Sequence, residues 1–294
     1  MHRCRMSGWA KGVIVFLIVA ILTYILYVGS PFGFKSLFYG AFKKTATIYL
    51  DYQTNTFTVL NGENISLKYS QHDENIAPFV LAAAENFYLQ LQRKLNFNPG
   101  SGKVLVIVYP DRISLNNSFG LSGDRSADGV YWAGSIRTLS PYAMLPPDSA
   151  GKTAEEVFME KGPLVHELTH YLVDRQTSGN YTRWLTEGLA QYLEREITGY
   201  TLESPARESQ LHLYSLSSLD RDYDQQPDQV LAYWQSLETV DYLIKEHGIE
   251  KMQELLTALG QGITIDKALQ GVYGLSLGML NEAVQGYISS ETSG

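Results

Sequence analysis

The 294-residue chain predicts an α+β fold, with a β-rich N-terminal lobe, a helical C-terminal lobe and one transmembrane helix ahead of both. Three observations predict it. Alternating apolar and polar segments, which suit half-buried strands, cluster between residues 45 and 140. The uninterrupted run "KVLVIVY", Lys103 to Tyr109, suits a strand buried on both faces. Beyond Thr153 the apolar residues recur at three and four, the helical period, to about Ser289. Strands first and helices afterwards is an α+β order, with a helix near residue 165 at the seam.

The N-terminus comes first. Val13 to Val28, "VIVFLIVAILTYILYV", is uncharged and apolar, and at about 1.5 Å per residue it spans roughly 24 Å, close to a bilayer core once Trp9 and Gly29 are added. Arg3, Arg5 and Lys11 precede it and no acid does, so residues 1–30 read as a cytoplasmic tip and signal anchor with the rest of the chain outside. A signal peptide cleaved to release a secreted protein is the alternative, but no small-x-small site follows the run. The aromatic and basic "PFGFKSLFYGAFKK", residues 31–44, suits a stalk at the membrane surface. The overall net charge is −8, and without Arg3, Arg5 and Lys11 the remaining 20 Lys+Arg against 31 Asp+Glu leave −11 after the anchor, which disfavours nucleic acid as a partner. Cys4 is the only cysteine, so the exported part has no disulfides and depends on its core.

From Thr45 the segments "TATIYLDY", "TFTVL" and "ISLKYS" read as strands, with "NGEN" as a turn between the last two, opening a β-rich lobe of residues 45–176. Ala77 to Leu95 places Val80, Ala84, Phe87, Leu91 and Leu95 on one helical face. "GVYWAG" and "SIRTLS" follow "KVLVIVY" as a further strand pair. "DSAGKT" lacks the glycine and the leading strand of a phosphate loop and is set aside.

A helix from Pro163 to about Gln176 turns Leu164, Leu168 and Leu172 to the core. His166 and His170, one turn apart, then share another face with Glu167 beside them. Two imidazoles at that spacing suit a divalent metal. "TSGN" turns the chain, Thr182 is placed to cap a second helix, and residues 177–294 form the helical lobe. On an antiparallel partner, Glu187 returns to the level of the histidines. Three protein ligands and no exported cysteine predict an open, catalytic zinc site, one Zn2+ per chain, with Glu167 near enough to take a proton from water. Gln191, one turn past Glu187, is placed to orient a histidine, while Glu194 and Glu196 read as solvated surface. His212 and His247 lack partners at ligand spacing and read as structural.

"HELTH" followed after 16 residues by the glutamate of "WLTEGLAQYLE" resembles the gluzincin metallopeptidases, and within them the peptidase MA-like proteins related to the M1 aminopeptidases. The resemblance implies a thermolysin-like fold, zinc ligands His166, His170 and Glu187, general base Glu167, and peptide or protein substrates. "AYWQSLETVDYL" is similar to the stretch where such enzymes carry an oxyanion-binding tyrosine and then a small residue, here Tyr233 and Ser236. The amine-gripping loop of the M1 enzymes has no counterpart, so aminopeptidase specificity is not expected. In its place "DGVYWAGSIRTLSP" suits an edge strand that pairs with an extended peptide, with Ala133, Gly134 and Ser135 at its centre. The sequence therefore predicts a membrane-anchored, extracytoplasmic zinc metallopeptidase. The alternative is a non-catalytic zinc-binding or scaffolding module that keeps the fold.

Overall fold

A computed structural model of the chain describes residues 31–97, 102–120, 127–149, 151–202 and 212–292, together with Tyr24 and Pro205. Apart from Tyr24, the apolar run at residues 13–28 lies outside the described residues. Among the described residues, no helix is long and apolar enough to cross a membrane.

The first described element corrects the sequence reading. Helix α1 (Pro31–Gln53) takes in both the expected stalk and the expected strand "TATIYLDY", so one helix runs across residue 44. Ala46 and Leu50 are buried, and Thr54 follows one turn later. That is a helical period, and the threonine-rich alternation hid it. The hydroxyls of Thr45 and Thr47 bond back to the carbonyls of Ala41 and Lys43, which accommodates them in a helix.

Strands β1 (Thr58–Asn61) and β2 (Ile65–Tyr69) then form the expected antiparallel pair. Glu85 of α2 (Ala77–Leu95) accepts from the main-chain N–H of Asn64 and Ile65, tying the turn to that helix. All five residues predicted for the inner face of α2 are buried. Strand β3 (Val104–Tyr109) runs parallel to β2, as its apolar run requires, and is followed by α3 (Arg112–Ser118). Strands β4 (Gly129–Trp132) and β5 (Ser135–Leu139) form an antiparallel hairpin, and β5 lies parallel to β3. The sheet order is β1-β2-β3-β5-β4, which makes β4 an edge.

One face of the sheet joins α2 and the later helices in the main core. The other face has a smaller core of Ile107, Tyr109, Leu115 and Leu139, to which α1 adds Leu50. After α4 (Pro141–Met144) and α5 (Ala154–Lys161) come α6 (Leu164–Thr177), α7 (Arg183–Thr198), α8 (Leu216–Asp222) and α9 (Gln229–His247). Helices α10 (Ile249–Gly260), α11 (Ile265–Tyr273) and α12 (Leu277–Thr292) complete the fold. The described chain is a mixture of helix and a small sheet, and α6, α7 and α9 carry the candidate site.

Candidate active site

Helix α6 buries Leu164, Val165, Leu168 and Leu172, which leaves His166 and His170 on the side facing α7. Their rings lie edge to face, with centroids 4.7 Å apart. The α6–α7 turn reverses through Ser178 and Gly179, both in the left-handed region, and brings back Glu187. Thr182 stands at the N-cap of α7, but its hydroxyl makes no capping bond.

Glu187 Oε2 lies 3.3 Å from His166 Nε2 and 3.5 Å from His170 Nε2. The ligand atoms of all three residues fall within 4.8 Å of one another, the geometry of a possible metal site. Each ligand's other polar atom has a protein partner. His166 Nδ1 is 3.3 Å from Glu194 Oε2, His170 Nδ1 is 2.7 Å from Thr186 Oγ1, and Glu187 Oε1 is 3.0 Å from Arg183 Nε. Two imidazole nitrogens and one carboxylate oxygen converge on one point, each oriented from behind, so the donor set fits zinc.

The electrostatics agree with a cation site. Burial lowers the pKa of His166, but Glu187, Glu194 and Glu167 outweigh it and hold the imidazole well above its ordinary range. Burial raises Glu187, yet the two histidines outweigh it and hold the carboxyl well below the usual range.

Glu167 is buried beside the histidines, and burial is the first cause that raises its pKa. Its Oε2 accepts the main-chain N–H of Tyr131 on β4. The strand approaches so closely that a Cβ on Gly129 would stand 2.5 Å from Pro163 Cγ and 3.2 Å from Glu167 Cγ. The alternation of an antiparallel pair turns the N–H and C=O of Gly129 and Tyr131 away from β5 and toward the cleft. Two cavities of about 450 and 500 Å3 flank this point and share Gly129, His166, Glu167 and Tyr233.

Tyr233, on α9, therefore stands in the same cleft as Glu167, its ring edge-on to Tyr223 at 5.7 Å. Burial raises the phenol's pKa, so it is a neutral donor at pH 7. The small residues beside these groups have a packing cause. A Cβ on Gly188 would lie 2.2 Å from the main-chain oxygen of Ser236, where α7 and α9 cross.

Several sequence expectations need correction. Gln191 orients no histidine; its amide donates to the carbonyls of Tyr233 at 2.9 Å and Glu187 at 3.2 Å. Glu194, read as surface, is buried and backs His166. Its position seven residues after Glu187, two turns along the same face, was the available signal. Glu196 is the solvated one, 3.7 Å from Lys94. Ala133 and Gly134 are not the centre of an edge strand. Their φ angles of 50° and 91° make them the tight turn of the β4–β5 hairpin, and Ser135 is buried in β5 with its hydroxyl on the Trp132 carbonyl. The cleft is lined instead by Gly129, Val130 and Tyr131. Arg183 on Glu187 and Asp174 on α6 were both missed. His212 is exposed, and His247 packs edge-on to Tyr273 at 5.1 Å.

Residues 146–290 match the family model described as the Peptidase MA superfamily. That span contains all three candidate ligands, Glu167 and Tyr233, and it supports a gluzincin-type, peptidase-like domain. A search of curated proteins found no match.

Proposed function

We propose that this chain is a membrane-anchored, extracytoplasmic zinc metallopeptidase distantly related to the M1 enzymes, with the anchor at residues 13–28 uncleaved. The observation that carries the reading is the convergence of His166, His170 and Glu187 in one cleft with Glu167. The ligands would be His166 Nε2, His170 Nε2 and Glu187 Oε2. Zinc held there supplies a Lewis acid that polarises a peptide carbonyl and makes water acidic near neutral pH.

The chain's own residues do the rest. Glu167 accepts the proton of the attacking water at a carboxylate oxygen and passes it to the departing amine. The Tyr131 N–H on Oε2 fixes which oxygen is free to do so. Tyr233 donates its phenolic hydrogen to the oxygen on which charge develops. The outward N–H and C=O of Gly129 pair with an extended peptide and align its scissile bond with Glu167. Because a cavity opens on either side of His166 and Glu167, peptide has room on both sides of that bond, as internal cleavage requires.

The test is metal content and hydrolysis measured on the same preparations of the full chain. About one zinc per chain is expected in the wild type and none in His170→Ala. Glu167→Gln should keep zinc and lose hydrolysis of a fluorescence-quenched peptide mixture. Metal-free wild-type protein after zinc is offered would overturn the reading. Zinc without hydrolysis in the wild type would favour the non-catalytic module. Peptide mapping of the membrane-bound protein tests the anchor, with residues 1–12 expected to be retained.

A further inference from the structure

We propose that α1 is a built-in clamp of the active site: Tyr39 and Lys43 hold Asp174 at the far end of the active-site helix, and Tyr131 carries that hold to Glu167. The inference rests on the peptidase reading for its effect on turnover, but not for its structural content.

Asp174 lies one turn past His170 on α6, and its side chain is completely buried. A carboxylate in that position must be paired and hydrogen-bonded. Its partners are Lys43 in an ion pair, the Tyr39 hydroxyl at 2.6 Å and the Tyr131 hydroxyl. Two of the three come from α1, more than 130 residues earlier in the chain. The third is a side chain of the edge strand β4.

Tyr131 then acts at two points. Its hydroxyl donates to Asp174 and its main-chain N–H donates to Glu167 Oε2. Glu167 and Asp174 are two turns apart on the same face of α6, so one residue laces the edge strand along the helix. If Asp174 shifts, Tyr131 shifts with it, and so does the N–H that orients the general base.

Three further contacts seat α1 on the β4–β5 hairpin and on the α6–α7 turn. Phe42 packs edge-on against Trp132 of the hairpin, with centroids 5.6 Å apart. A Cβ on Gly134, in the hairpin turn, would stand 3.8 Å from Lys43 Cδ. Gly179, in the α6–α7 turn at φ 78°, lies so close to Tyr39 that a Cβ would stand 2.7 Å from its ring. One helix therefore touches the end of α6, the turn that returns Glu187, and the strand that faces Glu167. Neither α1 nor Tyr131 lies within the matched span 146–290. The working unit is larger than that domain, and its added support is the helix that follows directly on the apolar run at residues 13–28.

The test uses the full zinc-loaded chain in detergent and compares Lys43→Met, Lys43→Arg and Tyr39→Phe with Lys44→Met, a neighbouring exposed lysine that makes the same charge change. Hydrogen exchange of residues 129–135 should speed up about 10-fold in Lys43→Met, less in Tyr39→Phe, and return toward wild type in Lys43→Arg. Zinc stoichiometry should not change. On the fluorescence-quenched peptide mixture, kcat should fall about 10-fold in Lys43→Met with KM nearly constant, because a small misplacement of the base is felt in the transition state. Hairpin exchange in Lys43→Met equal to that in Lys44→Met would overturn the clamp. If Lys43→Met does not fold, the comparison of Tyr39→Phe with Lys44→Met decides in the same way. Altered hairpin exchange in protein whose wild type cleaves no peptide would leave the clamp standing and remove the peptidase reading.

Discussion

Gly188→Ala isolates the contact that sets Tyr233 against the candidate metal ligands. In most helix interiors this change is favourable, since alanine exceeds glycine by about 1 kcal/mol in helix propensity. Here the added Cβ would meet the Ser236 carbonyl oxygen at 2.2 Å, its carbon at 2.7 Å and Val240 Cγ2 at 2.7 Å. A comfortable separation is about 3.5 Å, so the two helices must part by roughly 1 Å. The obstacle is main chain, and no rotamer change relieves it. The cost belongs at the upper end of the range for overpacking, about 3 kcal/mol. Against the propensity gain, the net loss is about 2 kcal/mol, or about 3–4 °C in Tm for a chain of this size.

Gly271→Ala is the matched control, because this α11 glycine has no atom within 4 Å of the position a Cβ would take. It should raise stability by about 0.5–1 kcal/mol. Thermal unfolding of the metal-free proteins reads both signs. Parting α7 from α9 also moves Tyr233 relative to Glu187, so kcat should fall about 100-fold at temperatures where the variant is folded. Gly188→Ala as stable as Gly271→Ala would refute the close crossing and, with it, this account of why a glycine follows Glu187.

Three other outcomes follow from the same contacts. Tyr233→Phe should lower kcat about 100-fold with zinc content unchanged, measured by steady-state kinetics and metal analysis on one sample. Glu194→Gln removes the charge behind His166 and should weaken zinc binding about 10-fold in a chelator competition titration. Burial raises the Asp241 carboxyl, but Arg195 and Lys245 outweigh it and hold its pKa below the usual range. A carboxyl depressed in the folded state contributes stability above its unfolded pKa of about 3.9, and that contribution is lost as pH falls through the lower folded value. Asp241→Asn should therefore cost about 1–2 kcal/mol at pH 7, reduced because Arg195 and Lys245 reach solvent, and the gap from wild type should close below about pH 4 in urea titrations.

What could be read from the sequence was local. His166, Glu167 and His170 share a helix, and Glu187 returns through a short turn, so helical geometry alone brought them together. Strand β3 declared itself by continuous burial and α2 by its period. The misses were long-range or carried by residue types that do not advertise burial. Helix α1 buries Ala46 and Leu50 and engages Tyr39 and Lys43, a helical stripe whose lysine and alanine are weak signals beside a threonine alternation. The hairpin turn puts a non-glycine residue, Ala133, at positive φ, which "AG" does not signal as "NG" would. Glu194 and Asp174 are acids buried by elements that pack from elsewhere, Asp174 by a helix more than 130 residues away.

The side chains behind the three candidate ligands also explain how they keep their arrangement. Glu187 alone would be drawn wholly toward the histidines, and both its oxygens could turn that way. Arg183 takes Oε1 at 3.0 Å and leaves Oε2 for the ligand point, so the carboxylate is set to bind through one oxygen. Glu194 and Thr186 fix the two Nδ1 atoms in the same manner and commit both Nε2 atoms inward. A ligand set held from behind loses little freedom when a cation arrives, so more of the intrinsic affinity is realised. Arg183 tempers that gain by withdrawing charge from the carboxylate. The candidate site is therefore shaped by its own neighbours, with Glu194 strengthening His166 and Arg183 restraining Glu187 as donors.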